Sequence, residues 1–152
     1  MGIRIDDLQG AAIAALLQVH LDAMHQHSPP ESVHALDLDA LRHPSITFWT
    51  AWDGDALMGC GALKTHSATH AELKSMRTAA GHERKGVARA LLRHMETAAR
   101  AKGVEHISLE TGSNAPFFPA HKLYESEGFV DCGPFANYQS DPYSRFMTKA
   151  LA

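Results

Sequence analysis

Residues 77–103, RTAAGHERKGVARALLRHMETAARAKG, pass from a polar turn directly into a helix-forming segment. The first N–H groups of a helix have no partner within it, and the aligned peptide dipoles place a partial positive charge there. Gly86 and Ala88 are small enough to let an anion approach this backbone closely. Three basic side chains add positive charge: Arg84, Lys85 and Arg89. The turn therefore indicates an anion site, although many helices begin near glycine and basic residues without binding a ligand.

Two common nucleotide-binding patterns are absent from the chain. There is no GxxxxGK[ST] loop, and no GxGxxG follows a first strand. Both absences argue against nucleoside triphosphate chemistry and hydride transfer. The identity of the anion has to come from the rest of the sequence.

The size and charge of the chain restrict its partners. Its 152 residues suit a single domain, 1–152, that folds without disulfides. A formal charge of -3 and a pI near 6.4 give no reason to expect nucleic acid or an anionic membrane as partner. No apolar run has the length of a membrane span, and the two cysteines form no CxxC pattern. We expect a soluble cytoplasmic protein.

Hydrophobic periodicity divides the first half of the chain into helices and then strands. Residues 3–5 read as a short strand, and apolar residues at steps of three and four predict an amphipathic helix over 8–27. The prolines of SPPES end it, and a second short helix is predicted over 33–42. ITFWTAW and ALMGCGALKT, joined through Asp53 and Gly54, predict a β-hairpin.

Strands and helices alternate in the second half. AELKSMRT (71–78) predicts a strand, followed by a helix over 86–102 that ends at Gly103. HISLET (106–111) predicts the next strand, PAHKLYESEG (119–128) a helix and SRFMTKAL (144–151) the closing strand. This order predicts a mixed α/β (α+β) fold, in which helices flank both faces of a central, mostly antiparallel sheet of about six to seven strands.

Five segments, taken in order, resemble the GNAT superfamily of N-acetyltransferases. They match its second and third strands, its fourth strand, its pyrophosphate loop, its C-terminal helix and its last strand. The segments are WDGDALMGCGALKT (52–65), AELKSMRT (71–78), RKGVARALL (84–92), AHKLYESEGF (120–129) and SRFMTKAL (144–151). Their agreement in order is more specific than any one of them.

The resemblance implies acetyl-CoA as cosubstrate and no metal. Backbone N–H groups of the loop would hold the pyrophosphate of coenzyme A, at Arg84, Lys85, Gly86, Val87, Ala88 and Arg89. Backbone groups of Met76 and Thr78 would bind the pantetheine arm as an added strand, and an N–H near Met76 or Arg77 would polarise the thioester carbonyl.

This chain departs from the superfamily pattern at Glu83, at Arg84, where a glycine is common, and at Phe117. Glu83 stands where the loop usually has Gln or Arg, so its carboxylate has to point away or pair with a neighbour such as Arg84. Phe117 stands where Asn is common before the last helix, so either Asn114 substitutes from nearby for that contact with the cofactor or the contact is absent.

The catalytic roles are also implied by the resemblance. Tyr124 would be the general acid that protonates the departing thiolate, the alternative being a core tyrosine. Glu72 would be the general base, on a strand whose alternation places Glu72, Lys74, Met76 and Thr78 on one face. The alternative is a solvent-facing glutamate paired with Lys74. Glu110, His34 or a chain of waters are weaker candidates for the base.

The resulting hypothesis is an N-acetyltransferase that transfers acetyl from acetyl-CoA to a primary amine of a small molecule or peptide. The amine would attack directly in a ternary complex, and segments 25–41 and 135–145 would form the acceptor walls. A noncatalytic acyl-CoA-binding module on the same fold is the alternative. Eleven histidines are present without metal-ligand spacing, which disfavours a metal protein. A homodimer is compatible with the resemblance.

Overall fold

Strands and helices follow one another much as the sequence pattern predicts. The structure is a computed structural model, and it describes residues 1–151. Its strands are β1 (Gly2–Ile5), β2 (Ile46–Asp53), β3 (Ala56–Thr65), β4 (His70–Thr78), β5 (His106–Gly112), β6 (Val130–Asp131) and β7 (Ser144–Ala150). Its helices are α1 (Ala11–His27), α2 (Leu38–Leu41), α3 (Val87–Ala101) and α4 (Phe118–Ser126). Short 3-10 turns cover Pro30–Ser32 and Ala115–Phe117.

All seven strands join one sheet, in the order β1-β2-β3-β4-β5-β7-β6. Only β4 and β5 run parallel, and the other neighbouring strands are antiparallel. The connection between these two parallel strands contains a helix, α3, as a parallel crossover requires. The predicted mixed, mostly antiparallel sheet is confirmed.

Each face of the sheet is covered by its own apolar cluster. On one face, α3 buries Leu91, Leu92 and Met95 against the strands, in a cluster that also contains Tyr124 of α4. On the other face, α1 buries Ile13, Leu16 and Leu17 against strand residues such as Phe48. The spacing of three and four residues that predicted these helices is the spacing that places their apolar side chains on the sheet. Helices therefore flank both faces, as predicted.

A bulge interrupts the pairing of β3 with β4. Cys60 pairs with Arg77 but Ala62 pairs with Lys74, so β4 has one residue more than β3 between these pairs. Ser75 lies in the bulge with a φ of 56°, in the left-handed region. Met76 consequently packs against the cluster beneath α3. The predicted alternation is therefore wrong beyond the bulge, because Met76 does not share a face with Glu72 and Lys74.

The bulge also coincides with the end of the parallel pairing. β4 and β5 are paired only from His70 with His106 to Leu73 with Leu109, although both strands continue further. Beyond Leu73 the two strands diverge and leave a notch between them.

Two parts of the predicted chain order differ in detail. The helix predicted over 33–42 is wrong in extent, since α2 covers only Leu38–Leu41. The helix begins after Asp37, because Asp37 is its N-cap and the carboxylate accepts a hydrogen bond from the Ala40 N–H at 2.8 Å. The two-residue strand β6 was not predicted, because a pair of residues has no recognisable periodicity.

Candidate active site

A groove of about 880 Å³ lies between the N-terminus of α3, the end of β4, α1 and α4. It brings together residues from three elements that the sequence had assigned to the cofactor or to catalysis. These lining residues are Met76, Arg77, Thr78, Arg84, Gly86, Val87, Ala88, Arg89 and Tyr124. Lys85 and Asn114, which were also predicted to contact the cofactor, are not among the residues that line the groove.

The turn before α3 presents backbone donors to this groove. Gly86 is the N-cap of α3 with a φ of 79°, and Arg84 has a φ of 63°. No side chain of residues 1–151 caps α3, so the N–H groups of its first turn face the groove without a side-chain acceptor. Left-handed residues next to right-handed ones direct successive N–H groups inward, which makes an anion-binding concavity.

Glu83 does not place its carboxylate against those donors. Its Oε2 accepts the N–H of Gly81 at 2.8 Å, so its partner is Gly81 rather than the predicted Arg84. Hydrogen bonds from its own backbone N–H and from Gly81 hold the pKa of Glu83 below its ordinary value. The carboxylate therefore stabilises the turn and leaves the α3 N-terminus accessible to an anion.

Arg89 and Asn114 have structural partners of their own. The Arg89 guanidinium donates to Ser126 Oγ at 3.1 Å and to Glu127 Oε1 at 3.0 Å, which ties α3 to the end of α4. The Asn114 amide donates to the His27 carbonyl at 2.9 Å, at the end of α1. These contacts fix the two sides of the groove relative to each other.

An inner cavity of about 120 Å³ adjoins the groove on the α1 side of the sheet. Several residues line both spaces, so the two meet: His20, Met24, Met76, Phe117, Ala120 and Tyr124. The polar residues of the inner cavity include His34, Glu72, Lys74, Ser75 and Glu110. Two reactants held in the two spaces would touch at the junction beside Tyr124.

Tyr124 is buried at this junction, with 7% of its surface exposed. Its ring packs against Phe129, with ring centroids 5.7 Å apart. Burial raises the pKa of Tyr124 above its ordinary value, so the phenol keeps its proton at neutral pH. This position is compatible with both interpretations from sequence, a core tyrosine and a general acid. The ring belongs to the core cluster, and the residue also lines both the groove and the inner cavity.

Glu72 is buried rather than solvent-facing, with 2% of its surface exposed. Its carboxylate accepts hydrogen bonds from His66 Nε2 at 2.8 Å, Lys74 Nζ at 3.1 Å and the Tyr138 hydroxyl at 2.5 Å. Burial alone would raise the pKa of Glu72, but the Lys74 charge and these hydrogen bonds outweigh it and hold the pKa below its ordinary value. Such a carboxylate is a weak proton acceptor.

The pKa of Glu110 is shifted in the opposite direction from that of Glu72. It lies on β5, partly buried, and lines the same inner cavity as Tyr124. Burial raises the pKa of Glu110 to about 7, with Lys74 opposing the rise and the negative charges of Glu72 and Asp141 adding to it. A carboxyl group with this pKa exchanges protons readily near neutral pH.

The two predicted acceptor walls meet over the inner cavity. The Ser32 hydroxyl donates to Asp141 at 2.5 Å, which joins the segment after α1 to the segment before β7. His34 packs edge to face against Tyr138, with ring centroids 4.9 Å apart. Burial, followed by the Lys74 charge, lowers the pKa of His34, so its imidazole is neutral at pH 7.

Two further properties concern the chain as a whole. Within residues 1–151 no group of three or more His, Cys, Asp or Glu side chains is arranged to hold a metal ion. None of the helices in that range combines the length and the apolar character needed to cross a bilayer.

Known proteins are similar to this chain along most of its length. The acetyltransferase (GNAT) family matches residues 13–129. The uncharacterized N-acetyltransferase YsnE of Bacillus subtilis is 58% identical over 151 residues, which cover 99% of this chain and 100% of that protein. The uncharacterized N-acetyltransferase YedL of Escherichia coli is 50% identical over 149 residues, covering 98% and 94%.

A solved structure shares the fold at low identity. An aminoglycoside 6'-N-acetyltransferase complexed with coenzyme A superposes with a TM-score of 0.74 at 16% identity, covering 100% of this chain and 98% of that one. The family match and the two relatives show that the chain belongs to the GNAT family of acetyltransferases. The prediction of an acetyltransferase enzyme is confirmed, and membership of the family supports acetyl-CoA or coenzyme A as the molecule bound.

Proposed function

We propose that this enzyme transfers the acetyl group of acetyl-CoA to a primary amine of a small molecule or peptide. The amine attacks the thioester directly, in a ternary complex without an acyl-enzyme. The observation that carries the proposal is the junction beside Tyr124, where the groove and the inner cavity meet. Reactants held on the two sides gain from proximity and orientation.

The groove residues fit the cofactor in charge and shape. The uncapped N-terminus of α3, from Gly86 to Arg89, presents N–H groups and a helix dipole to the pyrophosphate. Backbone groups of Met76 and Thr78, on the part of β4 that has left β5, are available to the pantetheine arm. An N–H near Met76 or Arg77 polarises the thioester carbonyl.

Two side chains carry the protons. As the neutral amine nitrogen bonds to the carbonyl carbon, Glu110 accepts its proton, and as the carbon–sulfur bond breaks, Tyr124 donates its phenolic proton to the sulfur, which leaves as the thiol. The proton on Glu110 then returns to the Tyr124 phenolate, which restores both side chains. Glu72 was the base expected from sequence, and its three hydrogen-bond donors support instead a role in orienting Lys74 and Tyr138. Glu110 lines the same cavity and has the more suitable pKa, near 7.

An acceptor screen tests the proposal. Purified enzyme is given acetyl-CoA and amino acids, amino alcohols, polyamines, aminoglycosides and peptides, and free thiol release is followed. We expect release with at least one amine, and calorimetry is expected to show acetyl-CoA binding without any acceptor. Binding without turnover across the panel would refute amine transfer. Homodimer formation and a cytoplasmic location stay predictions from the sequence.

A further inference from the structure

A second space of about 410 Å³, which we call the outer space, adjoins the inner cavity. The two share His34 and Glu72, whereas the outer space has no lining residue in common with the groove. Among the three spaces, only the inner cavity shares residues with both of the others. The remaining residues that line the outer space are Glu31, Lys64, His66 and residues 136–141.

The volumes of the inner cavity and the outer space decide how much of an acceptor each can hold. Benzene, with six carbon atoms, occupies an engineered protein cavity of about 150 Å³. The inner cavity of about 120 Å³ therefore takes a chain of about five non-hydrogen atoms. The outer space, at about 410 Å³, is much larger. An acceptor with more atoms than the inner cavity holds has to extend into the outer space.

One wall of the outer space is a loop, residues 132–143, which joins β6 to β7 without a helix or a strand of its own. Of the residues that this loop contributes to the outer space, only Tyr138 and Asp141 are not fully exposed. Asp141 is held near the end of the loop by its hydrogen bond from the Ser32 hydroxyl. Tyr138 attaches the middle of the loop.

Tyr138 fastens the loop to a buried ion pair on β4. Its hydroxyl donates to Glu72 at 2.5 Å and accepts from Lys74 Nζ at 2.8 Å, and these two side chains are 3% and 8% exposed. Its ring packs against His34 and Phe146, with ring centroids 4.9 and 5.6 Å apart. Hydrogen bonds to charged groups are stronger than those between neutral groups, and water competes little where the charges are buried. The phenol is therefore a strong attachment between the loop and the sheet.

We propose that Tyr138 is a positioning residue for the acceptor. It holds the loop as the wall of the outer space, where the distal part of an extended amine binds. This proposal rests on the proposed acetyl transfer, in which the reacting nitrogen lies beside Glu110 in the inner cavity. The loop also lines the outer space with Asn137, Gln139 and Ser140, so a distal part that carries amide groups is matched better than an apolar one.

Two primary amines of different length test the proposal. Butan-1-amine has a four-carbon chain, and Nα-acetyl-L-lysine amide has the same chain followed by two amide groups. The full-length enzyme is assayed with saturating acetyl-CoA, and kcat and KM are measured from thiol release. Tyr138→Phe should raise the KM of the lysine derivative about tenfold, because its distal part then binds a loop that is no longer held. Its kcat and both constants for butan-1-amine should stay nearly unchanged.

The control comes from the same loop. Tyr143 is 46% exposed, so Tyr143→Phe removes a hydroxyl without affecting the buried ion pair and should leave both amines as in the wild type. A Tyr138→Phe variant that changes the two amines equally would have only a general structural defect, which would overturn the proposal. Release with butan-1-amine and none with the lysine derivative or any other long amine would overturn it as well.

Hydrogen exchange of the free protein tests the attachment without an acceptor. Tyr138→Phe keeps the aromatic ring, so the fold should persist while the amides of residues 132–143 exchange about tenfold faster, followed by mass spectrometry. Exchange in this loop that equals that of the wild type would refute the role of Tyr138, whichever amine reacts.

The two measurements also separate this proposal from the acetyl transfer. Thiol release with equal effects of Tyr138→Phe on both amines would refute the positioning role and keep the acetyl transfer. No release with any amine, despite acetyl-CoA binding, would refute the acetyl transfer and the acceptor site with it.

Discussion

Glu110→Gln is expected to stabilise the protein, increasingly as the pH rises from 5 to 8. Burial raises the pKa of Glu110 from 4.5 to about 7 in the folded state. Between these values the folded protein holds a proton that the unfolded chain has lost, so wild-type stability falls as the pH rises through this window. A neutral glutamine avoids this loss, and the gain is complete once the pH exceeds 7.

The size of the effect follows from the shift in pKa. One unit corresponds to about 1.4 kcal/mol, so a rise from 4.5 to about 7 corresponds to about 3 kcal/mol at pH 8. For a domain of this length, 1 kcal/mol changes Tm by about 2–4 °C. The melting temperature of Glu110→Gln should therefore exceed that of the wild type by about 6–12 °C at pH 8 and by little at pH 5.

Thermal unfolding followed by circular dichroism, without ligands, measures this difference at each pH. Glu72→Gln is the matched control with the opposite sign. The pKa of Glu72 is lowered, so its ionised form stabilises the folded state above the unfolded pKa, and that stability is lost as the pH falls through the folded pKa. Glu72→Gln should therefore lower Tm at pH 8. A Tm difference between Glu110→Gln and wild type that stays constant from pH 5 to 8 would refute the assigned environment of Glu110.

Three further predictions concern catalysis and the groove. Tyr124→Phe should lower kcat about 100-fold or more and leave the Kd of acetyl-CoA nearly unchanged, as measured by thiol release and calorimetry; an unchanged kcat would make Tyr124 a packing residue. Glu110→Gln should lower activity about 100-fold with amines of pKa near 10 and much less with amines of pKa near 7. A merely structural role would lower activity equally with both kinds of amine. Gly112→Ala should lower the free energy of unfolding by about 1–3 kcal/mol, measured with denaturant, and should weaken acetyl-CoA binding, because the new Cβ would lie 2.1 Å from the Phe117 ring. Gly133→Ala is the control. Its Cβ would have nothing within 4 Å, so it should change neither quantity.

Local sequence patterns are enough to predict the longer helices and the hairpin of this fold. The helices α1 and α3 and the hairpin at Gly54 follow from apolar spacing and turn residues, so they are predicted close to their observed bounds. The bulge at Ser75 has no such signal, because serine is not a residue that marks a left-handed conformation. One unmarked residue was enough to reverse the predicted orientation of Met76.

In the candidate site, too, some properties follow from local sequence and others depend on tertiary contacts. The position of Tyr124 beside the groove follows from its helix and from the order of the segments. The weak basicity of Glu72 does not, because His66 and Tyr138 reach it from other segments of the chain. The raised pKa of Glu110 depends on burial by elements on either side of β5, which its neighbours in sequence do not reveal.

The bulge at Ser75 lies where the pairing between β4 and β5 has ended. A non-glycine residue in the left-handed region costs free energy, and such strain persists where the surrounding structure enforces it. At this position, two residues beyond the last pair of β4 with β5, it turns Met76 toward the core beneath α3. The same irregularity therefore coincides with the part of β4 that has left β5, whose backbone we propose binds the pantetheine arm. A regular β4 would keep Met76 on the same face as Glu72 and Lys74, away from the core beneath α3.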